Sequence, residues 1–508
     1  MYRVWCRLLL GAPLLCGLFL FLSKQAVADT TAATAGLADV QNAVNSAIDG
    51  ETVHIPPGIV TWTAGLTISK AITLQGSGVG VTIIRNAILT TNVRLLYVTS
   101  VANKNTRITG IEFQNNGGAL QPNGVIALSG ADWNGSTIRV DNCKFHQLNG
   151  VSIQTYNLIG VIDHNIFDAG YPVTIEVQNP HWGNIGDYGD NSWSQPSNFG
   201  SDKFLFIETN TFNGPKGGDA VDSLCGARYV FRYNTVVDTD FGGHGTESGG
   251  RMRGMRAVEG YNNTFSGTIS AWWIATIRSG VAAIHDNTMS GWPGQTSLPV
   301  WRMRCYRSFN AFSPWGAADG TNQWDMNKAG APFYSGTVSS AGSLTISVSG
   351  TPWTTNQWFG YSIKKTSGST SGQQFSEIYS NTSNTITFGS NGGFAGGNLS
   401  FGAGNTFAIY KVTQALDQPG VSGGPILSGA TPSLPLGWNN QTVEACYQWN
   451  NTYNNGAGNI NFSNGDVTIV PNKYFYDNTP MPGYTPYVYP HPLVGSAVAA
   501  PTNLRTVQ

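Results

Sequence analysis

The segment FGGHGTESGGRMRGMRAVEGYNNTF, Phe241–Phe265, joins a glycine-rich run of charged side chains to a motif, EGYNNTF, that recurs along the chain. In each copy an asparagine stands three residues after one mostly apolar position and two residues before another. These asparagines are Asn165, Asn210, Asn234, Asn263 and Asn287, and Cys143 takes the same place in an earlier copy. Successive copies are about 22 to 30 residues apart, with one interval near 45, which is typical of a solenoid.

Alternation within the motif predicts short, half-buried strands. The apolar positions on either side of each asparagine are expected to face the core, whereas the position two before it is expected to face solvent. That outward column reads Asp163, Glu208, Arg232, Tyr261 and His285. Each asparagine is expected to stack at a turn, where its amide bonds the backbone and the asparagines of neighbouring coils. The pattern therefore favours a β-solenoid over strands scattered in a sandwich.

The composition narrows the class of protein. The chain has 508 residues, of which 11% are charged, against about 25% in typical domains. It contains 63 glycines, and its formal net charge is −1. A nearly neutral chain has no global field to recruit nucleic acid or a membrane surface. Low charge with abundant glycine suits an extracellular β-protein better than a cytosolic enzyme.

Residues 1–28 have the organisation of a secretory signal peptide. Arg3 and Arg7 precede the apolar run Leu8–Leu22, and small residues follow it before Asp29. The alternative is an uncleaved membrane anchor. No later stretch is long and apolar enough to span a bilayer. We therefore expect a secreted protein, extracellular or periplasmic, without a membrane span once the signal is removed.

An amphipathic helix is predicted over residues 33–48, where Leu37, Val40, Val44 and Ile48 recur at helical spacing. Such a helix would cap the open end of the solenoid, since a terminal coil needs a cover.

The N-terminal segments carry a family resemblance. The helix, the PPG turn at residues 56–58, the run LTISKAITLQGSG at 66–78 and the recurring N-T-F ladder resemble the right-handed parallel β-helix superfamily, which includes pectate lyases and polygalacturonases. The resemblance covers roughly residues 33–330 and 415–495. It implies an all-β, right-handed parallel β-helix with an N-terminal capping helix, and it leaves the substrate open.

The predicted domain organisation follows this pattern. Residues 29–330 are assigned to the parallel β-helix, and residues 331–412, which lack the asparagine motif, to an inserted small β-domain. Residues 413–495 are assigned to the last coils and a C-terminal tail rich in Pro and Tyr, laid over them. Residues 496–508 resemble a linker.

Arginines are concentrated near the glycine-rich run. Seven lie between Ser248 and Asn310, opposed only by Glu259 and Asp286, which leaves +5 on this segment. Because the guanidinium fork suits carboxylates, an acidic polysaccharide is the expected partner. The alternative is that these arginines form structural bridges with the nearby acids Asp219, Asp222, Asp238, Asp240 and Glu247.

Polygalacturonases are similar in the order of their charged residues. Here Asp219 and Asp222 precede Gly243-His244-Gly245, and Arg278 follows. The adjacent Asp pair of that family is broken, and its Arg-x-Lys is missing. Inverting hydrolysis needs two carboxylates roughly 6.5–9.5 Å apart, and Asp219 with Asp222 or Asp240 would supply them.

Pectate lyases are similar through Val161-Ile162-Asp163-His164, which lacks the tryptophan of the family motif. The resemblance implies β-elimination with an arginine as base, for which the Arg251/Arg253 pair is the candidate. His244 or Tyr261 would assist proton transfer. Calcium is a possible cofactor, with Asp163 and Glu208 as ligands.

The sequence therefore predicts a secreted enzyme that degrades a polysaccharide. A lyase acting on a uronate-containing chain is favoured over a polygalacturonase-like hydrolase. The alternative from another class is a non-catalytic glycan-binding or adhesion β-helix. The predicted catalytic residues are His244, Glu247, Arg251, Arg253, Arg278, Asp219 and Asp222. The predicted substrate-binding residues are Arg256, Tyr261, Trp182, Trp193 and Lys216.

Overall fold

The computed structural model describes residues 29–183, 193, 195–246, 253–269, 274–294, 298–303, 316–321, 325, 331–368, 375–389, 399–413, 418–420, 442–454, 456, 460–464 and 469–495. The described chain is almost entirely β. The two helices are α1 (Leu37–Ser46) and α2 (Pro180–Gly183). In these ranges no helix has the length and apolar character needed to cross a membrane.

The strands before the predicted insert are, in chain order, β1 (Thr30–Thr31), β2 (Thr52–His54), β3 (Gly58–Trp62), β4 (Leu66–Ile68), β5 (Thr73–Gln75), β6 (Thr82–Asn86), β7 (Leu96–Thr99), β8 (Asn105–Thr109), β9 (Glu112–Asn115), β10 (Ile126–Ser129), β11 (Thr137–Asp141), β12 (Lys144–His146), β13 (Ile153–Tyr156), β14 (Gly160–Asp163), β15 (Ile166–Asp168), β16 (Val173–Gln178), β17 (Leu205–Glu208), β18 (Thr211–Leu224), β19 (Arg228–Arg232), β20 (Thr235–Gly243), β21 (Ala257–Tyr261), β22 (Thr264–Gly267), β23 (Ala275–Ile277), β24 (Val281–His285), β25 (Thr288–Gly291) and β26 (Leu298–Met303). The remaining strands are β27 (Tyr334–Thr337), β28 (Ser340–Ala341), β29 (Thr345–Ser347), β30 (Tyr361–Lys365), β31 (Phe375–Asn381), β32 (Thr385–Phe388), β33 (Thr406–Val412), β34 (Cys446–Trp449), β35 (Thr452–Tyr453), β36 (Ile460–Asn464) and β37 (Phe475–Tyr476).

Three parallel ladders form the faces of a right-handed parallel β-helix, as predicted. The first face is a 12-stranded sheet in the order β1-β2-β5-β8-β11-β14-β17-β19-β21-β24-β34-β37. The second face runs β3-β6-β9-β12-β15-β18-β20-β22-β25-β35, and the third runs β4-β7-β10-β13-β16-β18-β20-β23-β26-β36. The long strands β18 and β20 belong to both the second and the third face. Apolar side chains from all three faces fill the interior in one continuous core.

The predicted asparagine stack is confirmed. Each Oδ1 accepts the backbone N–H and the Nδ2 of the preceding coil's asparagine, at 2.9–3.1 Å from Asn165 to Asn287. Asn451 extends the stack beyond the insert, and the backbone N–H of Cys143 donates to Asn165 at its other end. The residue before each stacked position has positive φ, a conformation that turns the chain from the first face to the second.

The outward column of the first face is buried, contrary to the prediction. Asp163, Glu208, Arg232, Tyr261 and His285 are all at most 3% exposed. The reason is the C-terminal tail (residues 477–495), which runs back over this face. Its backbone carbonyls at 487 and 488 accept hydrogen bonds from the Arg232 guanidinium at 2.7 and 2.9 Å, and its N–H at 491 donates to Glu208.

The N-terminal helix caps the first coil but is shorter than predicted. Val40 and Val44 are buried against the core, whereas Ile48 lies past the helix end and is exposed. The Lys70 ammonium donates to the carbonyls of Val44, Asn45 and Ala47 at 2.6–3.0 Å, which satisfies carbonyls at the end of the helix.

Strands β27 to β33 form a separate antiparallel sheet within the predicted insert, in the order β27-β33-β30-β31-β32-β29-β28. It has its own apolar cluster, which includes Trp353, Trp358, Ile363 and Ile409. Later in the chain, β34, β35 and β36 pair with β24, β25 and β26 and so continue the β-helix.

Candidate functional site

A cluster of carboxylates forms on the outer surface of the third face. Strand register places Glu176 beside Asp222, and Asp219 beside Asp240, on adjacent strands. Asp219 and Asp222 are three residues apart, so a regular strand would point them to opposite sides. A bulge between Asp219 and Val221 inserts one extra residue, the buried Ala220. This extra residue shifts the alternation of inward and outward side chains by one, so both aspartates face outward.

Asp219 and Asp240 form a carboxyl pair, since they are register partners on adjacent strands. Burial raises the pKa of Asp219, and burial together with the charge of Asp219 raises the pKa of Asp240 well above its usual range. Two like charges in such proximity disfavour each other's ionised form. The pair therefore keeps a proton to higher pH than an ordinary carboxyl does, and Asp240, whose pKa rises more, is the better candidate for the protonated member.

Asp222 is held by a histidine. Its Oδ2 lies 2.9 Å from Nδ1 of His244, and the His244 side chain is half-buried. The backbone N–H of His244 donates to the carbonyl of Ser223 at 2.7 Å, which fixes His244 next to the strand that carries Asp222. A carboxylate this close to Nδ1 stabilises positive charge on the imidazole ring.

Arg278 supplies the cationic group of the cluster. It follows β23, and its Nε donates to the carbonyl of Gly243 at 3.2 Å. Its charge acts on both members of the carboxyl pair and partly opposes the rise in the pKa of Asp219 and of Asp240. Four of the predicted catalytic residues, His244, Arg278, Asp219 and Asp222, therefore meet on one surface.

A hydrogen-bonded row beside the cluster was not predicted. The amide of Gln178 donates to Glu176 at 2.6 Å, the amide of Gln154 donates to the same oxygen, and the Tyr156 hydroxyl donates to Gln154 at 2.5 Å. Burial raises the pKa of Glu176, and the charge of Asp222 raises it further. The two hydrogen bonds from the amides of Gln154 and Gln178 act in the opposite direction. Only the register of the third face identifies these residues, because they lack the asparagine motif.

Other predicted site residues lie elsewhere. Tyr261 is on the first face, where its hydroxyl accepts a bond from Arg232 beneath the tail. Arg256 is paired with Glu444 at 2.7 Å and also bonds the carbonyl of Gln195. The buried Arg256 is therefore a structural bridge, but to Glu444 and not to any of the nearby acids that the structural alternative named.

The remaining substrate-binding and lyase predictions have mixed outcomes. The Arg253 guanidinium carbon lies 3.7 Å from the ring centroid of Trp193, and both side chains are buried. Trp193 therefore covers an arginine instead of presenting a stacking face to sugar. Lys216 is exposed, with Nζ 3.7 Å from Asp238. Glu247, Arg251 and the side chain of Trp182 lie outside the described residues.

Asp163 and Glu208 do not fit a calcium site. The Arg139 guanidinium donates to both oxygens of Asp163, and Glu208 accepts bonds from Arg232 and from the backbone N–H of His491. Oxygens engaged in this way under the tail are not open to a cation. Within the described part of the chain, no group of three or more His, Cys, Asp and Glu side chains is placed to hold a metal ion.

Comparison with known proteins gives no family. No protein-family model matches the chain, and no curated protein matches it. Among solved structures, it is similar to an alginate lyase from Paenibacillus sp. str. FPU-7, with 15% identity and a TM-score of 0.32, covering 54% of this chain and 97% of that one. A PL6 family alginate lyase has 14% identity and a TM-score of 0.28, covering 54% of this chain and 40% of that one. ORF18 of Geobacillus virus E2 has 13% identity and a TM-score of 0.25, covering 72% and 75%. At these identities and TM-scores the likeness does not extend to function.

Proposed function

We propose that the chain is a secreted enzyme that cleaves a polysaccharide at the third-face cluster, with hydrolysis as the favoured reaction. The observation that carries the proposal is the carboxyl pair Asp219–Asp240, on adjacent strands and with raised pKa values, beside the Asp222–His244 pair. Glycoside hydrolysis needs one carboxylic acid to protonate the leaving oxygen and one carboxylate to activate water. A buried carboxyl with a raised pKa is suited to the first role.

Asp240 on β20 and Asp222 on β18 would divide the roles of acid and base in an inverting reaction. Inverting enzymes hold their two carboxyls roughly 6.5–9.5 Å apart, so that a water fits between the base and the sugar. In this scheme Asp240 is the acid, Asp222 the base, and Arg278 the partner for a substrate carboxylate.

A second candidate is β-elimination, which the Asp222–His244 pair also favours. Here Nε2 of His244 would remove the proton beside the uronate carboxylate, Arg278 would neutralise that carboxylate, and the protonated Asp240 would donate to the leaving oxygen. The burial of Arg253 beneath Trp193 removes it from this role. Acidic polysaccharides remain the proposed substrates under either reaction, because each scheme uses Arg278 to bind a carboxylate.

The test is a screen of uronic-acid and neutral polysaccharides with products identified by mass. Saturated reducing ends support hydrolysis, and unsaturated products with ultraviolet absorbance support elimination. We expect Asp240→Asn to lower kcat by about 10²–10⁴-fold, without a lower melting temperature, because asparagine replaces a protonated carboxyl of the same shape.

Asp168→Asn is the matched control, since Asp168 lies on the outer side of the neighbouring face and pairs with Lys144 and His146. Activity of Asp240→Asn equal to that of this control would exclude the proposed acid. If a polysaccharide is bound but never cleaved, the non-catalytic binding function replaces both enzyme proposals.

A further inference from the structure

A cavity of about 490 Å³ lies where the chain turns from the third face to the first. Its lining comes from four coils and includes Asp132, Trp133, His181, Lys203 and Arg228. Cavities of roughly 300–1,000 Å³ are the usual size for small-molecule sites. Strand β16 leads from Glu176 of the cluster to the helix that carries His181, so the cavity continues the same side of the molecule.

Trp133 forms one wall of this cavity and is 60% exposed. Tryptophan is highly buried on average, because its ring gains much from leaving water. Here the ring contacts His181, with centroids 4.5 Å apart and planes at 50°. The rest of the indole remains open, and it offers a flat apolar surface with a polar edge.

The position of His181, and through it of Trp133, is fixed by polar contacts. Oδ1 of Asp132 lies 2.8 Å from Nδ1 of His181, and Oδ2 accepts a bond from Asn179 at 3.2 Å. The Asp132 carboxylate is 5% exposed, so this arrangement is built into the fold. A platform held in place before binding loses less conformational entropy when a ligand arrives.

The lining of the cavity also includes two cationic side chains. The Arg228 guanidinium lies 5.1 Å from the ring centroid of Phe204 and donates to the carbonyl of Lys203 at 3.0 Å, while the Lys203 side chain is exposed. Asp202 also lines the cavity, and its charge acts on Tyr487 and His491 of the tail. The acidic and basic groups are balanced, so a ring with hydroxyls and at most one carboxylate fits.

We propose that this Trp133 cavity is an accessory subsite that binds a pyranose ring of a polysaccharide, the indole stacking on the apolar face of the sugar. The proposal rests on the proposed function for the identity of the polymer, but its binding step does not require cleavage. Lys203 would meet the carboxylate of a uronate, and a neutral sugar would use the same platform without it.

The experiment measures calorimetric binding of trigalacturonate, a mannuronate trisaccharide and maltotriose to the full chain carrying Asp240→Asn, which blocks cleavage. We expect at least one trisaccharide to bind, and Trp133→Ala to weaken it at least tenfold. Phe359→Ala is the matched control, since Phe359 is an exposed aromatic of the inserted domain and is expected to leave binding unchanged. Lys203→Gln should weaken only uronate binding, which separates the two sugar classes.

An equal dissociation constant in Trp133→Ala and its parent overturns the subsite, as does the absence of binding by all three probes. Melting temperatures of the variants check that the fold is intact. The proposed function fails separately: if the wild-type chain cleaves no polysaccharide while Trp133-dependent binding persists, the enzyme proposal falls and the subsite stands.

Discussion

Glu259→Gln is expected to abolish a pH dependence of stability that the buried Glu259 carboxyl imposes on the fold. Glu259 is fully buried on the first face. Its oxygens accept bonds from the Tyr484 hydroxyl of the tail at 2.5 Å and from the backbone N–H of Gly200 at 2.8 Å. Burial raises the pKa of Glu259 to about 7, against the smaller opposing effects of these bonds and of Arg232.

The size of the effect follows from the pKa difference between the two states. The ordinary value is 4.5 and the folded value about 7, a difference of 2.5. At about 1.36 kcal/mol for each pKa unit, this is about 3 kcal/mol. Because the folded pKa is raised, the stability that the protonated group contributes is complete below pH 4.5 and is lost as the pH rises through 7.

Glutamine should keep both contacts, since its carbonyl accepts from Gly200 and its amide donates to the Tyr484 oxygen. The free energy of unfolding is measured in denaturant for both proteins at several pH values. The difference, Glu259→Gln minus wild type, should rise from near zero at pH 4 to about 3 kcal/mol at pH 8.

Comparing the two proteins cancels the opposite contribution of His491. Burial lowers the pKa of His491 to about 4, which makes both proteins less stable as the pH falls below the ordinary value of 6.5. A difference that stays constant over this pH range would refute the assignment of the titration to Glu259.

Three further outcomes are expected. Asn234→Ala removes the partner of the Asn210 N–H and of the Ile207 carbonyl, which should lower the free energy of unfolding by about 2–6 kcal/mol, or about 1–3 per group. The control Asn123→Ala, at an exposed asparagine, should change the free energy of unfolding by no more than about 0.5 kcal/mol. Equal losses in the two variants would contradict the role of the stack. Thr209 has φ 58°, so Thr209→Asn should raise the unfolding midpoint by the equivalent of up to about 1 kcal/mol, and a lower midpoint would show that the threonine is not strained. Replacing residues 331–412 by a short linker should leave one cooperative unfolding transition, because the insert has its own core; loss of that transition would make the insert part of the β-helix.

Part of the candidate site was accessible from the sequence. His244, Arg278, Asp219 and Asp222 were selected from charged residues near glycine-rich turns, and the structure brings them together. Their roles could not be assigned, because the pairing of Asp219 with Asp240 depends on a bulge in β18. A one-residue shift of register moves a side chain to the other side of a sheet. No residue type in β18 predicts the bulge.

The first face shows the same limit of what the sequence can predict. Asp163, Glu208 and Arg232 alternate with apolar residues, which predicts exposure, yet they are buried beneath a tail more than 200 residues away in the sequence. Local alternation reports which side of a strand points away from the core, but not what covers that side. Arg139 and Arg232, on strands of the same face, bind the two expected calcium ligands beneath this tail.

The sequence by itself determined the coil. The recurring asparagine, with apolar residues at fixed distances on either side, specifies a turn and a stack of asparagines in the interior. Both features depend only on contacts within one coil or between adjacent coils. Tertiary structure alone decided the environment of each polar group. Burial, and with it the pKa of Asp240 and of Glu259, depends on distant segments brought together by the winding of the chain and by the returning tail, since desolvation and charge act through space and not along the sequence.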